Sequence, residues 1–142
     1  MSDSRRLDLS FLEQASKQFD TSLAEYESEP QRRAYRDSVV MHFLFTYELA
    51  IQAIKRYLEL ESLKSAAEGS TIGFQTLIRR ADAHGIVRTG WPGFGRFRDA
   101  RNTVAHTYDE KRAIEVTRMA KEFAGEVRFL LDQLKGRVVD GE

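Results

Sequence analysis

Residues 39–58 read VVMHFLFTYELAIQAIKRYL, and their spacing decides the fold class. Val40, Phe43, Tyr47, Ala50, Ile54 and Tyr57 recur at intervals of three and four and lead on to Leu58, the period of one helical face. Val39, Leu44, Phe45, Leu49 and Ile51 widen the apolar surface beyond that face. A helix apolar over so much of its circumference packs against several neighbours. The stretch therefore predicts a long central helix over roughly residues 31–64, with Pro30 suited to its first turn.

Working outward, the same period recurs on both sides. Upstream, Leu12, Ala15, Phe19, Leu23 and Tyr26 form one stripe, and Ser10 with Glu13 has the spacing of a capping box. A first helix over roughly residues 8–27 follows. Downstream, Ala67-Glu68-Gly69-Ser70 reads as a linker, with Ser70 or Thr71 capping a short third helix whose face is Phe74, Leu77, Ile78 and Ala81. Gly85 suits the left-handed ending of that helix. Gly90-Trp91-Pro92-Gly93-Phe94-Gly95 reads as a turn, followed by a short helix carrying Phe94, Phe97 and Arg101. Thr107 with Glu110 repeats the capping-box spacing, so a last helix should begin near Tyr108. Its stripe is Val116, Ala120, Phe123, Val127, Leu130 or Leu131, and Leu134, with a loose tail after Gly136. The expectation is an all-α, antiparallel up-and-down helical bundle of four main helices plus one short helix. All 142 residues fit a single domain, with an ordered core over about 8–135.

The 22 basic and 22 acidic residues balance to a formal charge of zero, which argues against holding a long duplex by bulk electrostatics. The charge is uneven, however. Arg79, Arg80, Arg88, Arg96, Arg98 and Arg101 stand against only Asp82 and Asp99, a local excess of four positive charges that suits a local anionic ligand. With no cysteine, neither a disulfide framework nor a thiolate zinc site is available. His42, His84 and His106 lie far apart in sequence, so no metal site and no cofactor is expected. The Gly90–Gly95 passage lacks the preceding strand and following lysine of a phosphate loop. No apolar run is long enough to span a membrane and no signal peptide is evident, so a soluble cytoplasmic protein is expected.

The segment Arg101-Asn102-Thr103-Val104-Ala105-His106-Thr107-Tyr108 is where chemistry concentrates. It puts a fixed cation, a neutral hydrogen-bonding group and a titratable imidazole within six residues. Asn102 and His106, four apart, share a helical face. Arg101 and His106, five apart, diverge by about 140° unless the helix loosens between them. A helix end near Thr103–Thr107 would supply that loosening. These side chains suit phosphodiester cleavage without a metal. The imidazole exchanges protons with a ribose 2′-hydroxyl or a leaving oxygen, and the guanidinium holds charge on the phosphoryl group. The same residues also serve elsewhere as capping and surface hydrogen-bonding groups, and spacing alone does not choose between the two readings.

The segment resembles the Arg-x4-His-x-Tyr motif of HEPN domains found beside minimal nucleotidyltransferases, with the match continuing through Asp109-Glu110. Arg36-Asp37-Ser38-Val39-Val40 and Phe43 to Ala50 resemble the long helix of the nucleotidyltransferase substrate-binding subgroup, as does the order of Gly85-Ile86-Val87 and Trp91. The likeness covers roughly residues 8–135. It implies a homodimeric bundle with two motifs facing across a cleft, and a ribonuclease toxin acting on RNA. Its partner would be a minimal nucleotidyltransferase antitoxin that transfers AMP to the motif tyrosine. Carried over, Arg101 and His106 are catalytic, Asn102 supports them, Tyr108 is the modification or substrate contact, and Glu48 and Arg98 are supporting candidates. Leu44 and Ile51-Gln52 depart from the subgroup, which has an acid and a Trp-Lys pair there, and this bears on partner contacts. Two other readings stay open: a non-catalytic substrate-binding subunit of a two-component nucleotidyltransferase, and a helical adaptor with a vestigial motif. A dimer is expected in each, because the apolar stripes exceed what one small bundle would hide.

Overall fold

The computed structural model describes residues 7–65, 72–106 and 109–140, and for residues 63–65, 105–106 and 138–140 the backbone alone. Five helices follow in order: α1 (Ser10–Ser28), α2 (Arg33–Ser65), α3 (Phe74–Ala83), α4 (Gly90–His106) and α5 (Glu110–Asp140). No strand occurs among the described residues. The all-α architecture of four long helices and one short one is the expected one.

Ion pairs give the directions of the helices. Glu13 pairs with Lys135, Asp20 with Arg128 and Glu27 with Lys121, so α1 and α5 run antiparallel. Arg36 with Glu110, Phe43 with Phe123 and Arg137 with Tyr57 make α2 and α5 parallel. The bundle is squashed along one diagonal. α2 and α5 touch each other, α1 and α4 each touch both, and no contact joins α1 to α4 among the described residues.

Phe123 shows why that diagonal is close. Its ring meets Phe19 of α1, Phe43 and Tyr47 of α2, and Phe97 of α4, at centroid distances of 5.0–6.1 Å. Tilted and edge-on rings at such distances favour one another beyond the apolar area they bury. α2 contacts all four other helices, as its broad apolar surface requires. The bundle hides nearly all of its own stripes. Among the described residues Phe11, Met41 and Phe45 are the large apolar side chains left exposed, so surplus stripe area is no longer an argument for a dimer.

Four local expectations are corrected. Ser10 and Glu13 form no capping box. The Asp8 carboxylate accepts both the Ser10 amide and hydroxyl at the start of α1, which holds Asp8 below the usual carboxylate pKa, while Glu13 reaches Lys135. The Gly90–Gly95 passage is not a turn before a helix but the first turns of α4 itself. Pro92 sits where its missing amide hydrogen is harmless. α4 also runs unbroken through His106 rather than loosening near Thr103, and α5 continues past Gly136 to Asp140. Gly85, at φ 74°, does end α3 as expected. Ala67 to Thr71, Thr107 and Tyr108 lie outside the described residues, and with them the expected linker, the caps at Ser70 or Thr71 and at Thr107, and the helix start at Tyr108. α5 starts at Glu110, where the Asp109 carboxylate accepts the Arg112 amide at 2.9 Å.

Candidate functional site

The amides that start α4 are held from across the bundle. Glu126 of α5 is 1% exposed, and its two carboxylate oxygens accept the backbone N–H groups of Arg88 at 2.6 Å and Thr89 at 3.0 Å. Gly93 is packed so tightly under Thr89 that a Cβ there would fall 2.0 Å from the threonine hydroxyl. Together these fix where α4 begins, and hence where its last turns carry Arg101 and Asn102.

Arg101 is held on three sides. Its Nη2 donates to Glu48 Oε1 at 2.8 Å, its Nη1 donates to Asn102 Oδ1 at 2.9 Å, and its guanidinium lies 5.9 Å from the Tyr47 ring centre. The Arg101 side chain stays 39% exposed and that of Glu48 52% exposed, so the pair is open to solvent and to a ligand. Glu48 is thus neither an isolated surface carboxylate nor a buried one. Tyr47, only 4% exposed, stands against the Phe43 and Phe123 rings on its other side. Burial pushes its phenol pKa up to about 12, with Arg101 and Arg98 pulling the other way. At neutral pH it stays an uncharged ring and hydroxyl under the arginine.

The structure brings Glu48, Arg101 and Asn102 together, with Arg98 one turn earlier on α4, stacked over Phe74 at 5.0 Å. His106 is the last residue of α4, and its side chain lies outside the described residues, as does all of Tyr108. Because α4 is unbroken, position 106 falls one turn after Asn102 and on the far side from Arg101. The other histidines serve the fold: His42 Nδ1 bonds the Ser38 carbonyl at 2.8 Å, and His84 stands edge-on to Tyr57. Among the described residues no three His, Asp or Glu side chains converge as metal ligands, and no helix is long and apolar enough to cross a membrane.

Sequence reasoning missed Tyr47 and Glu126 as contributors. Tyr47 lies on the apolar stripe and reads as core. Glu126 carries a usable signal, a lone acid beside Val127 in an otherwise apolar stripe, since a carboxylate there demands a partner.

Comparison with known proteins agrees with the fold. A solved structure from Haemophilus influenzae, described as revealing the fold of a substrate-binding domain of a nucleotidyltransferase, superposes with a TM-score of 0.79 at 26% identity. The match covers 90% of this chain and 99% of that one. A protein of the same organism named "Probable ribonuclease HepT" is 33% identical over 100 residues, which are 69% of this chain and 66% of that relative. The chain thus spans just under two-thirds of that curated relative's length. The family model described as "Nucleotidyltransferase substrate binding protein like" matches residues 7–136, and the chain belongs to that family.

Proposed function

We propose that this chain is a HEPN-type ribonuclease that cleaves RNA by internal phosphoryl transfer. The observation that carries the reading is the half-exposed Arg101 guanidinium, fixed by Glu48, Asn102 and the Tyr47 ring within the last turns of the helix that ends at His106. Two of its five N–H donors are engaged by these partners, and others stay free for a phosphate. In the proposed reaction the His106 imidazole takes the proton from a ribose 2′-hydroxyl as that oxygen attacks phosphorus. The bond to the 5′-oxygen breaks, and that oxygen leaves with a proton from solvent water. The products are a cyclic phosphate and a 5′-hydroxyl. Arg101 holds the charge that gathers on the phosphoryl oxygens, and Asn102 keeps the guanidinium aimed.

The unbroken helix turns Arg101 and His106 apart, which supports a homodimer in which one copy's Arg101 works with its partner's His106. The relative named a ribonuclease supports the activity, and the family's description supports a nucleotidyltransferase as the antitoxin partner. Tyr108 would receive AMP in that pairing. The added bulk and negative charge beside Arg101 and His106 would then repel an incoming RNA phosphate.

A second reading is favoured by one observation: Arg101 is already ion-paired with Glu48, as befits a surface that only presents a substrate to a separate nucleotidyltransferase. Total tRNA incubated with the purified protein in EDTA, beside its His106→Ala variant, separates the two. Cleavage by the wild type and not by the variant is expected. Intact tRNA in both, with the wild type shown by mass to be unmodified, would instead favour the substrate-binding subunit.

A further inference from the structure

The strip of surface leading along α4 toward Arg101 has a composition that the cleavage site alone does not use. Trp91 and Phe74 are both half-buried and meet edge to face, with ring centres 5.9 Å apart across the α3–α4 contact. The Trp91 ring lies along α4 over Gly95, where a Cβ would stand 3.5 Å from the indole. One turn later the exposed Arg98 lies over the Phe74 ring at 5.0 Å. Its neighbours Arg96 and Arg101 are neutralised by Glu122 and Glu48, yet among the described residues no carboxylate pairs with Arg98. A planar cation is thus held on an aromatic ring with its charge uncommitted and its outer face toward solvent. Unpaired RNA bases stack on aromatic rings and on arginine planes of this kind.

We propose that Phe74, Trp91 and Arg98 form a stacking subsite for an unpaired base of single-stranded RNA, adjoining the position where Arg101 would meet the phosphate. Arg98 precedes Arg101 by three residues, an axial rise of about 4.5 Å along the helix, which suits a nucleotide next to the one cleaved. The choice of RNA as ligand rests on the ribonuclease reading above, whereas the platform rests on the ring and guanidinium geometry. The strip accepts unstacked bases and gives a base-paired helix no ring face to use.

Trp91 is the chain's single tryptophan, so its emission reports on this place and no other. The probe is a short 2′-O-methyl oligoribonucleotide, which lacks the nucleophile and stays intact on the wild-type protein. Its binding is followed by tryptophan emission and, with an end-labelled copy, by anisotropy. We expect the emission to change on binding. Arg98→Ala should weaken binding about 5- to 150-fold, the range for loss of one stacked base, and Arg98→Lys, which keeps the charge, should recover only part of it. Phe74→Leu, removing the ring beneath the arginine, should weaken binding in the same direction. Binding with unchanged emission, an Arg98→Ala variant as tight as wild type, full rescue by lysine, or equal affinity for a duplex of the same length would overturn the subsite. An unmodified oligonucleotide keeps the two claims separate. If it is cleaved while Trp91 stays silent, the subsite falls and the ribonuclease stands. If Trp91 responds and nothing is cleaved, the subsite stands and the ribonuclease falls.

Discussion

Tyr47 and Glu48 are adjacent in the chain yet act on Arg101 through different physics. Glu48 meets the guanidinium in the open, where an ion pair adds only about 0–1 kcal/mol to stability, so Glu48→Gln should leave the midpoint of urea unfolding nearly unchanged. Its effect should fall on cleavage, because a guanidinium released from Glu48 is no longer aimed. Tyr47 is buried, and its pKa of about 12 lies above the 10.0 of a free phenol. A raised pKa means that the folded state holds this proton more tightly, so stability is intact below pH 10 and is lost as the pH climbs toward 12. A difference of that size between the folded and unfolded phenol corresponds to roughly 2–3 kcal/mol. The wild type should lose about that much more stability than Tyr47→Phe between pH 10 and 12, as measured by urea unfolding at each pH. Equal losses in the two proteins would show that the phenol is not desolvated. The motif residues are legible in the sequence as a cluster of chemical types. Tyr47 is not, because an aromatic at a core spacing carries no mark of which edge will face a cation.

The helices themselves can be read from periodicity to within a few residues, and the errors cluster where side chains from another helix decide the outcome. Gly90-Trp91-Pro92-Gly93-Phe94-Gly95 has the composition of a turn, yet it opens α4. Two contacts explain this: Glu126 accepts the amides of Arg88 and Thr89, and Gly93 admits the close approach of Thr89. The carboxylate that controls this start stands on another helix, far away in sequence. Ser10 and Glu13 fail as a cap for the same kind of reason, since Asp8 supplies the acceptor and Lys135 draws Glu13 away. The weight of Glu126 can be measured. Glu126→Ala leaves two part-buried amides without their acceptor, which should lower stability by about 1–3 kcal/mol. Glu126→Gln keeps one acceptor oxygen and should lose less than half of that. The alanine variant should also show faster amide exchange than the wild type at Arg88, Thr89 and Gly93. Exchange at those amides unchanged from the wild type, or a stability change well below about 1 kcal/mol, would mean that the carboxylate is incidental to the start of the helix.

At the scale of the whole molecule, the squashed bundle sets a problem that one copy does not resolve. Phe123 draws α1, α2 and α4 onto α5, and α4 is continuous up to His106. A continuous helix sends positions five apart to different sides, and on the proposed reading Arg101 and His106 meet one phosphate because each works with a second copy's counterpart. Mixed variants test this quantitatively. Arg101→Ala and His106→Ala should each be inactive alone. Mixed and allowed to exchange subunits, they should form heterodimers in which one of the two sites keeps both an intact arginine and an intact histidine. With half of the dimers mixed and one site in each intact, the mixture should recover about a quarter of wild-type cleavage. That recovery should vanish when the two variants are crosslinked as separate homodimers before mixing. Two inactive variants that stay inactive together, despite subunit exchange seen by mass, would place both residues of each site in a single chain. α4 would then have to unwind near Val104 when RNA binds, and amide exchange at residues 101–106 should rise in the presence of RNA. The complementation experiment thus tests the proposed dimeric site and the continuity of α4 together, because recovery in the mixture calls for a second copy and its absence calls for a local change in α4.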